Sequence, residues 1–269
     1  MTSETDGGRP SGLRFGALLG DAFRALAAYH LIFIAAVAAP LAFDVIGFTL
    51  LQRWNRSHGS NAVLNLLADG VFLALYMMFL VALSRAVLVG PGAVKRPFHF
   101  ALGRREALAF AFALVLIGAL SLIVVLSISI MSLFPTAAAF FKQTLSVAGN
   151  LPASALFSLA CVLLSVRFVF IFPAVACDAE TGWRTSWDQT RGNAATLAGI
   201  VLLSLMSVTI LKFGEARLEA YYSALGPLGP GVVSLLFDVC YYYLEAVAIL
   251  AVAIAYRQRV GLPADQRSS

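Results

Sequence analysis

Charged residues are scarce in this chain, since Asp, Glu, Lys and Arg make up only 12% of its 269 positions. Soluble domains carry about 25% charged residues. Apolar residues reach 60%, and the mean hydropathy is +0.86. A soluble core cannot bury so much apolar surface, because the buried fraction of a folded chain saturates with size. The composition therefore excludes an ordinary soluble globular protein and indicates a protein embedded in lipid.

Cysteine and histidine are also rare, with three residues of each type. An odd number of cysteines, two of them inside predicted helices, argues against a disulfide framework. The histidines, His30, His58 and His99, are far apart, and the cysteines lack the spacing of metal ligands. No phosphate-binding glycine loop, zinc motif or nucleophile elbow is present in the sequence. We therefore expect no cofactor, no metal site and no enzymatic activity.

Long apolar runs account for most of the chain. Each has at least the ~20 residues that an α-helix needs to cross a hydrocarbon core of ~30 Å. There are six such runs, at 28–51, 62–89, 107–133, 153–176, 194–213 and 231–256. They predict an all-α fold, a polytopic membrane helical bundle of six transmembrane helices with short interfacial helices. We expect a disordered N-terminus over 1–10, one transmembrane domain over 11–260 and a flexible C-terminal tail over 261–269.

The basic residues lie mostly on one side of the predicted bundle. With the N-terminus inside, 14 of the 19 Lys and Arg residues fall on inner segments, and the positive-inside rule places both termini in the cytoplasm. Arg outnumbers Lys and Ala is abundant, so we expect a multi-pass protein of a bacterial inner membrane. Because the basic residues lie beside helix ends and form no continuous patch, we expect no nucleic-acid partner.

Two ionisable residues are predicted deep inside the spans. Arg167 and Glu245 each lie about 14 residues from the outer start of a helix, which is about 21 Å into the bilayer. Charges at this depth are costly and are functional candidates. We predict that they form an ion pair, directly or through a polar neighbour such as Tyr242 or Ser165. The sequence leaves open whether the pair only pins two helices or moves protons or solutes.

A second acidic set lies nearer the outer surface. Asp44, Asp69 and Asp238 each lie about seven residues from the outer end of a span, at a shared depth of about 10 Å. They are candidates for an outer-leaflet acidic cluster that lines a polar cavity. Alternatively, each carboxylate reaches the interface or accepts local hydrogen bonds, because the pattern does not define where on the helix circumference it lies.

The inner loop between the fourth and fifth runs contains a predicted interfacial helix over 181–191. Trp183 and Trp187 lie four residues apart and share one face, while Arg184 and Arg191 point elsewhere. Paired tryptophans on one face of a short basic helix are typical of a helix that lies in the plane of the membrane interface.

Other local signals predict how individual helices begin and bend. Residues 11–28 have the period of an amphipathic helix, which either rests in the headgroup layer or simply extends the first span. Pro40 predicts a kink in that span. Asn61 is a candidate N-cap for the second span, and Asp178 or Thr181 for the loop helix.

The inner loop also carries short sequence elements of a known family. They are Phe172-Pro173-Ala174, Asp178, Glu180, Gly182, Ser186-Trp187 and Thr190-Arg191-Gly192-Asn193. In these elements, and in helix number and hydropathy, the chain resembles the membrane domain that accompanies some bacterial glycerophosphoryl diester phosphodiesterases, and its stand-alone six-helix relatives. The resemblance implies a six-helix membrane protein. It does not carry over the phosphodiesterase activity, which would need a soluble barrel with several His and acidic ligands.

Two functional hypotheses follow. The first is a non-enzymatic integral inner-membrane protein that interacts with lipids or serves as an accessory component. The alternative is a small-solute or ion transporter or permease subunit that uses intramembrane Arg167 and Glu245. Membrane lipids are the expected partners. A further membrane subunit or an ATPase subunit is a candidate partner for the loop helix, and the oligomeric state is left open.

Overall fold

The structure is a computed structural model that describes residues 12–94, 103–133, 162–222 and 229–261. These residues are mostly helical and include no strand, so the all-α prediction is confirmed for this part of the chain. The predicted disordered N-terminus at 1–10 lies outside the described residues, as does the predicted C-terminal tail apart from Gly261.

Nine helices are described, together with one π-helical segment and one short 3-10 turn. In chain order they are α1 (Phe15–Ala28), α2 (His30–Ala42), the π-helical segment (Phe43–Gly47), α3 (Phe48–His58), α4 (Ala62–Leu88), the 3-10 turn (Pro91–Ala93), α5 (Arg104–Leu133), α6 (Val162–Ala176), α7 (Trp183–Gln189), α8 (Ala194–Tyr222) and α9 (Gly229–Arg259).

Four helical stretches within the described residues are long and apolar enough to cross a membrane. They are His30–His58, Ala62–Leu88, Ala194–Glu215 and Val232–Arg259. They correspond to the first, second, fifth and sixth predicted runs. The third run lies within α5, which is not one of the four, and the described part of the fourth run, α6, is too short alone. The complete six-span bundle therefore stays a prediction.

Helix α9 is the centre of the described bundle. It packs against α1, α2, α4, α6 and α8, and half of its apolar window is buried, a larger share than in the other three candidate spans. Two of its tyrosines lie in the core: the ring of Tyr242 lies edge-on to Phe79 of α4 at 5.9 Å, and that of Tyr256 to Phe170 at 5.5 Å. Because lipid is as apolar as leucine, such close packing is what holds membrane helices together.

Helix α1 presents its apolar face to the protein. Leu18, Ala22 and Leu26 are buried, and the helix packs mainly on α9. The backbone N–H of Leu13 donates to Oδ1 of Asn193 at 3.0 Å, which ties the start of α1 to the start of α8. Phe15 and Phe23 of the same apolar face stay exposed, at 39% and 44%. The position of α1 in the headgroup layer therefore stays a prediction.

The first span is irregular just after Pro40. A proline lacks the N–H that would bond to the carbonyl four residues earlier. The π-helical segment follows at once and contains Asp44. Such a local change in helix type is frequent at functional sites. The kink predicted at Pro40 stays a prediction. The next span begins as predicted, with Oδ1 of Asn61 accepting from the N–H groups of Val63 and Leu64 at 3.0 and 3.2 Å.

Candidate functional site

Glu245 lies in the middle of α9 and is only 9% exposed. The hydroxyl of Tyr76 on α4 donates to its Oε2 at 2.8 Å, and the hydroxyl of Ser204 on α8 donates to its Oε1 at 2.5 Å. The carboxylate therefore joins three of the four candidate spans. Each carboxylate oxygen has two lone pairs, so both can accept a further hydrogen bond from a ligand.

A cavity of about 170 Å³ lies beside Glu245, between α4, α6, α8 and α9. Its polar lining groups are Ser84, Ser204 and Glu245, and the rest of its wall is apolar. Leu205, also in the wall, is 48% exposed, which places that side of the cavity near the outer surface of α8. The volume is close to that of a ~150 Å³ apolar cavity able to hold benzene and is below the ~300 Å³ of a drug-sized pocket. It can therefore hold a small molecule or part of an acyl chain.

The predicted ion pair between Arg167 and Glu245 is wrong. Glu245 receives hydroxyl groups instead, and the guanidinium carbon of Arg167 lies 4.9 Å from the centre of the Trp187 ring. Neither proposed neighbour joins the two residues: the hydroxyl of Tyr242 is buried without a hydrogen-bond partner, and no hydrogen bond connects Ser165 to either. Counting residues along two helices gives equal depth, but it does not say whether two side chains face each other.

The corrected geometry predicts independent effects for the two charges. Because no contact joins them, the costs of Arg167→Gln and Glu245→Gln in free energy of unfolding are expected to add within about 0.5 kcal/mol. The measurement is unfolding of the full chain in detergent micelles for the wild type, both single variants and the double variant. A double variant that is more stable than the sum by over about 1 kcal/mol would restore the ion pair.

The three acids of the predicted acidic cluster differ in exposure, and the cluster itself stays a prediction. Asp238 is buried and Asp44 half-buried, whereas Asp69 is exposed on α4. Within the described ranges no group of three or more His, Cys, Asp or Glu is suited to a metal ion. Residue counts gave the three acids a shared depth, but they did not say on which side of its helix each carboxylate lies.

The loop helix exists, in the shorter form α7. Trp183 packs its ring against that of Phe112 at 5.2 Å and is half-buried, whereas Trp187 is 44% exposed. Arg184 and Arg191 are exposed. One tryptophan therefore anchors α7 to the protein and the other faces outward, and the interfacial position of this helix stays a prediction.

Asp178 was a candidate N-cap for α7, and this prediction is wrong. Gly182 precedes α7 and no side chain caps it, so Thr181 does not serve either. Asp178 instead ends α6, with a left-handed backbone at φ 54°. Its N–H bonds to the carbonyl of Val175, and the next N–H, that of Ala179, bonds to Ala174. This C-terminal motif usually has glycine at the left-handed position, and Asp is among the residues that tolerate it.

The carboxylate of Asp178 links three helices. Arg105 of α5 donates through Nε to Oδ1 at 2.5 Å and through Nη2 to Oδ2. Arg85 of α4 lies 3.8 Å from Oδ2 and donates to the carbonyl of Ala176, the last residue of α6, at 2.7 Å. These contacts bind the inner ends of α4, α5 and α6 together. The junction also explains why an acidic residue occupies a position that glycine usually takes.

This junction predicts sensitivity to acid. The hydrogen bonds from Arg105 lower the pKa of the Asp178 carboxyl below its ordinary value, although partial burial opposes the shift. A depressed pKa contributes stability that is present above the unfolded-state pKa of about 3.9 and is lost as the pH falls through the folded-state pKa. We expect thermal unfolding temperatures to fall below about pH 4 in the wild type and to change less in Asp178→Asn. Asp188→Asn, at an exposed carboxylate of α7, is the control. Equal pH profiles for all three proteins would contradict this role.

Tyr76 and Ser204 were not identified from the sequence. Both are embedded in apolar runs, and a lone hydroxyl is common in a membrane helix because it can bond to its own backbone. The only available signal was that each lies near the middle of a span, as Glu245 does. Which hydroxyls meet the carboxylate depends on which helices are neighbours.

Comparisons of the chain with protein-family models, with curated proteins and with solved structures gave no match. The resemblance to the membrane domain of glycerophosphoryl diester phosphodiesterases therefore stays a prediction. What the protein does has to be inferred from its own geometry.

Proposed function

We propose that this chain is a non-enzymatic integral protein of the bacterial inner membrane, with both termini in the cytoplasm, that binds a lipid-like molecule beside Glu245. The observation that carries the proposal is the cavity of about 170 Å³ with apolar walls and one buried carboxylate. Four membrane-capable helices supply the setting, and Leu205 places one side of the cavity near the outer surface of α8.

The lining supports an amphipathic occupant. Ile200, Val201 and Val252 offer apolar surface to a chain segment, and Glu245 with Ser204 offers hydrogen-bonding groups at one place in the wall. Because a carboxylate is an acceptor, the bound polar group should be a donor, such as a hydroxyl or an amine. Few polar groups in a largely apolar wall are typical of sites that orient a small apolar ligand.

The test is lipid retention by the full chain after mild detergent extraction, read by native mass spectrometry. Ala248 lines the cavity, so Ala248→Leu should fill part of it and reduce the retained ligand. Ala42→Leu adds the same side chain at an exposed position of a candidate span and should leave retention unchanged. Equal retention in both variants, or no ligand on the wild type, would contradict the proposal.

The second candidate is a small-solute or ion transporter or permease subunit. It is favoured by the carboxylate of Glu245, which lies inside a candidate span and is bonded to two hydroxyls. Buried intramembrane carboxylates of this kind can exchange protons during transport. Arg167 would act separately in this scheme, because it does not pair with Glu245.

The transport candidate is tested in sealed proteoliposomes that contain a pH-sensitive dye. Proton or cation flux in the wild type that is lost in Glu245→Gln would favour it over lipid binding. If a partner membrane or ATPase subunit exists, its contact is expected at the exposed Arg184 of α7 and at Arg191, just after that helix. Crosslinking from α7 in intact membranes would identify such a subunit. Absence of flux in the wild type would contradict transport by this chain without a partner subunit.

A further inference from the structure

Arg167 carries a positive charge that the protein compensates only in part. Its guanidinium lies over the ring of Trp187, and its Nη1 atom is buried without a hydrogen-bond partner. No acidic side chain in the described part of the chain lies within 4.0 Å of it. A partly buried guanidinium that lacks a counter-ion among the described residues is a candidate to bind an anion.

The guanidinium has an accessible edge for such an anion. The Arg167 side chain is half-buried rather than enclosed, so one edge faces the surface while Nη1 is covered. The cation–π contact with Trp187 uses the flat face and leaves the in-plane N–H groups free to donate. Two in-plane donors in a rigid fork match the oxygens of a phosphate group, which a lysine cannot reproduce.

The position of Arg167 fits the level of lipid headgroups. The hydroxyl of Ser186 in α7 donates to the backbone carbonyl of Arg167 at 2.9 Å, so α7 lies directly against this part of α6. Trp187 is partly exposed on the same short helix, and an exposed tryptophan suits the interface. At about 21 Å from the outer end of its span, Arg167 is roughly 9 Å from the inner edge of a ~30 Å hydrocarbon core. Its long side chain can reach the inner-leaflet phosphates from there, where anionic lipids are enriched.

The charge that remains uncompensated there belongs to Arg167 itself. The surrounding loop carries Arg184 and Arg191 together with Glu180 and Asp188, all of them outside any ion pair in the described residues, so its charges balance. We infer that Arg167 binds the phosphate group of an anionic inner-leaflet phospholipid, with Trp187 beneath the guanidinium. The inference rests on the proposed function for the bilayer setting. It concerns a separate place, since neither Arg167 nor Trp187 lines the cavity beside Glu245.

The test uses the full chain in nanodiscs of equal parts phosphatidylcholine and phosphatidylglycerol, with retained lipids counted by native mass spectrometry. The wild type should retain phosphatidylglycerol preferentially. Arg167→Gln should lower that preference about tenfold, as expected for loss of a charge-assisted, bidentate contact. Arg167→Lys keeps the charge and should fall in between. Arg184→Gln removes one exposed charge from α7 and should stay within about twofold of the wild type.

Several outcomes would overturn the inference. They are no preference for phosphatidylglycerol in the wild type, an unchanged preference in Arg167→Gln, or an equal loss in Arg184→Gln. Tighter binding of inorganic phosphate than of phosphatidylglycerol would overturn the lipid assignment. If circular dichroism shows that Arg167→Gln does not fold, the test uses Arg167→Lys instead. A lipid preference in Arg167→Lys equal to that of the wild type would contradict bidentate binding by the guanidinium. The Ala248→Leu variant separates the two proposals, because it alters the cavity and leaves Arg167 in place.

Discussion

Glu245→Leu is expected to lower the free energy of unfolding by about 1–3 kcal/mol, because it leaves the hydroxyls of Tyr76 and Ser204 without their acceptor. The cost should be at the lower part of the range for unsatisfied buried groups. In a membrane the unfolded helices also find hydrogen-bond partners, which reduces the difference. Unfolding of the full chain in mixed micelles, followed by circular dichroism, measures it.

A variant that removes the two hydroxyls together with the carboxylate tests this explanation. Glu245→Leu combined with Tyr76→Phe and Ser204→Ala removes the acceptor and both donors, and we expect it to unfold within about 1 kcal/mol of the wild type. Replacing an acceptor and all of its donors by apolar groups lowers the free energy of unfolding less than leaving some of them buried without a partner. The triple variant should thus keep the fold while losing the polar anchor. A triple variant as unstable as the sum of the single changes would show that this network does not act as a unit.

The triple variant also separates structure from function. If the cavity binds a donor group through Glu245, a stable triple variant should lose that ligand and retain its helices. If it retains the ligand, the apolar wall alone is responsible and the carboxylate has only a structural role. None of the three single substitutions can make this distinction, because each changes stability and chemistry together.

Leu83→Ala should destabilise the protein by about 2–3 kcal/mol, whereas Leu66→Ala on the same helix should cost less than about 0.5 kcal/mol. Leu83 is completely buried in the core around α9, and Leu66 is 72% exposed. Both changes remove the same atoms from α4. Unfolding in lipid does not bring a leucine into water, so the cost at Leu83 comes mainly from the cavity left behind.

The same unfolding assay compares Leu83→Ala with Leu66→Ala. Equal losses of unfolding free energy at the two positions would mean that Leu83 does not lie in a packed core. That result would also contradict the position of α9 at the centre of the bundle. A large cost at Leu66 would mean that a further protein surface covers that face of α4. Helical propensity cannot explain a difference, since the same residue type is exchanged at two places in one helix.

Several features of the fold were predictable because each depends on neighbouring residues only. The N-cap at Asn61 needs one side-chain oxygen and two adjacent N–H groups, and it formed as predicted. The short loop helix α7 followed from local spacing, although its ends differ from the predicted ones.

The failures share one physical cause. Residue counts along a helix give depth, so Arg167 and Glu245 seemed matched and the three acids seemed level. Contact between side chains also needs the order and rotation of helices, which depend on packing. Asp178 shows the same limit, because its role comes from two arginines that are distant in sequence.

The sequence by itself determined that this is an all-helical protein with membrane-capable spans. In hydrocarbon every backbone N–H and C=O must be bonded within the segment, and a long apolar run satisfies that only as a helix. The tertiary structure decided that Glu245 meets two hydroxyls beside a cavity, that Arg167 lies over Trp187, and that α1 covers α9. These contacts depend on close packing between helices, and hydropathy does not record which face of a helix meets protein and which meets lipid.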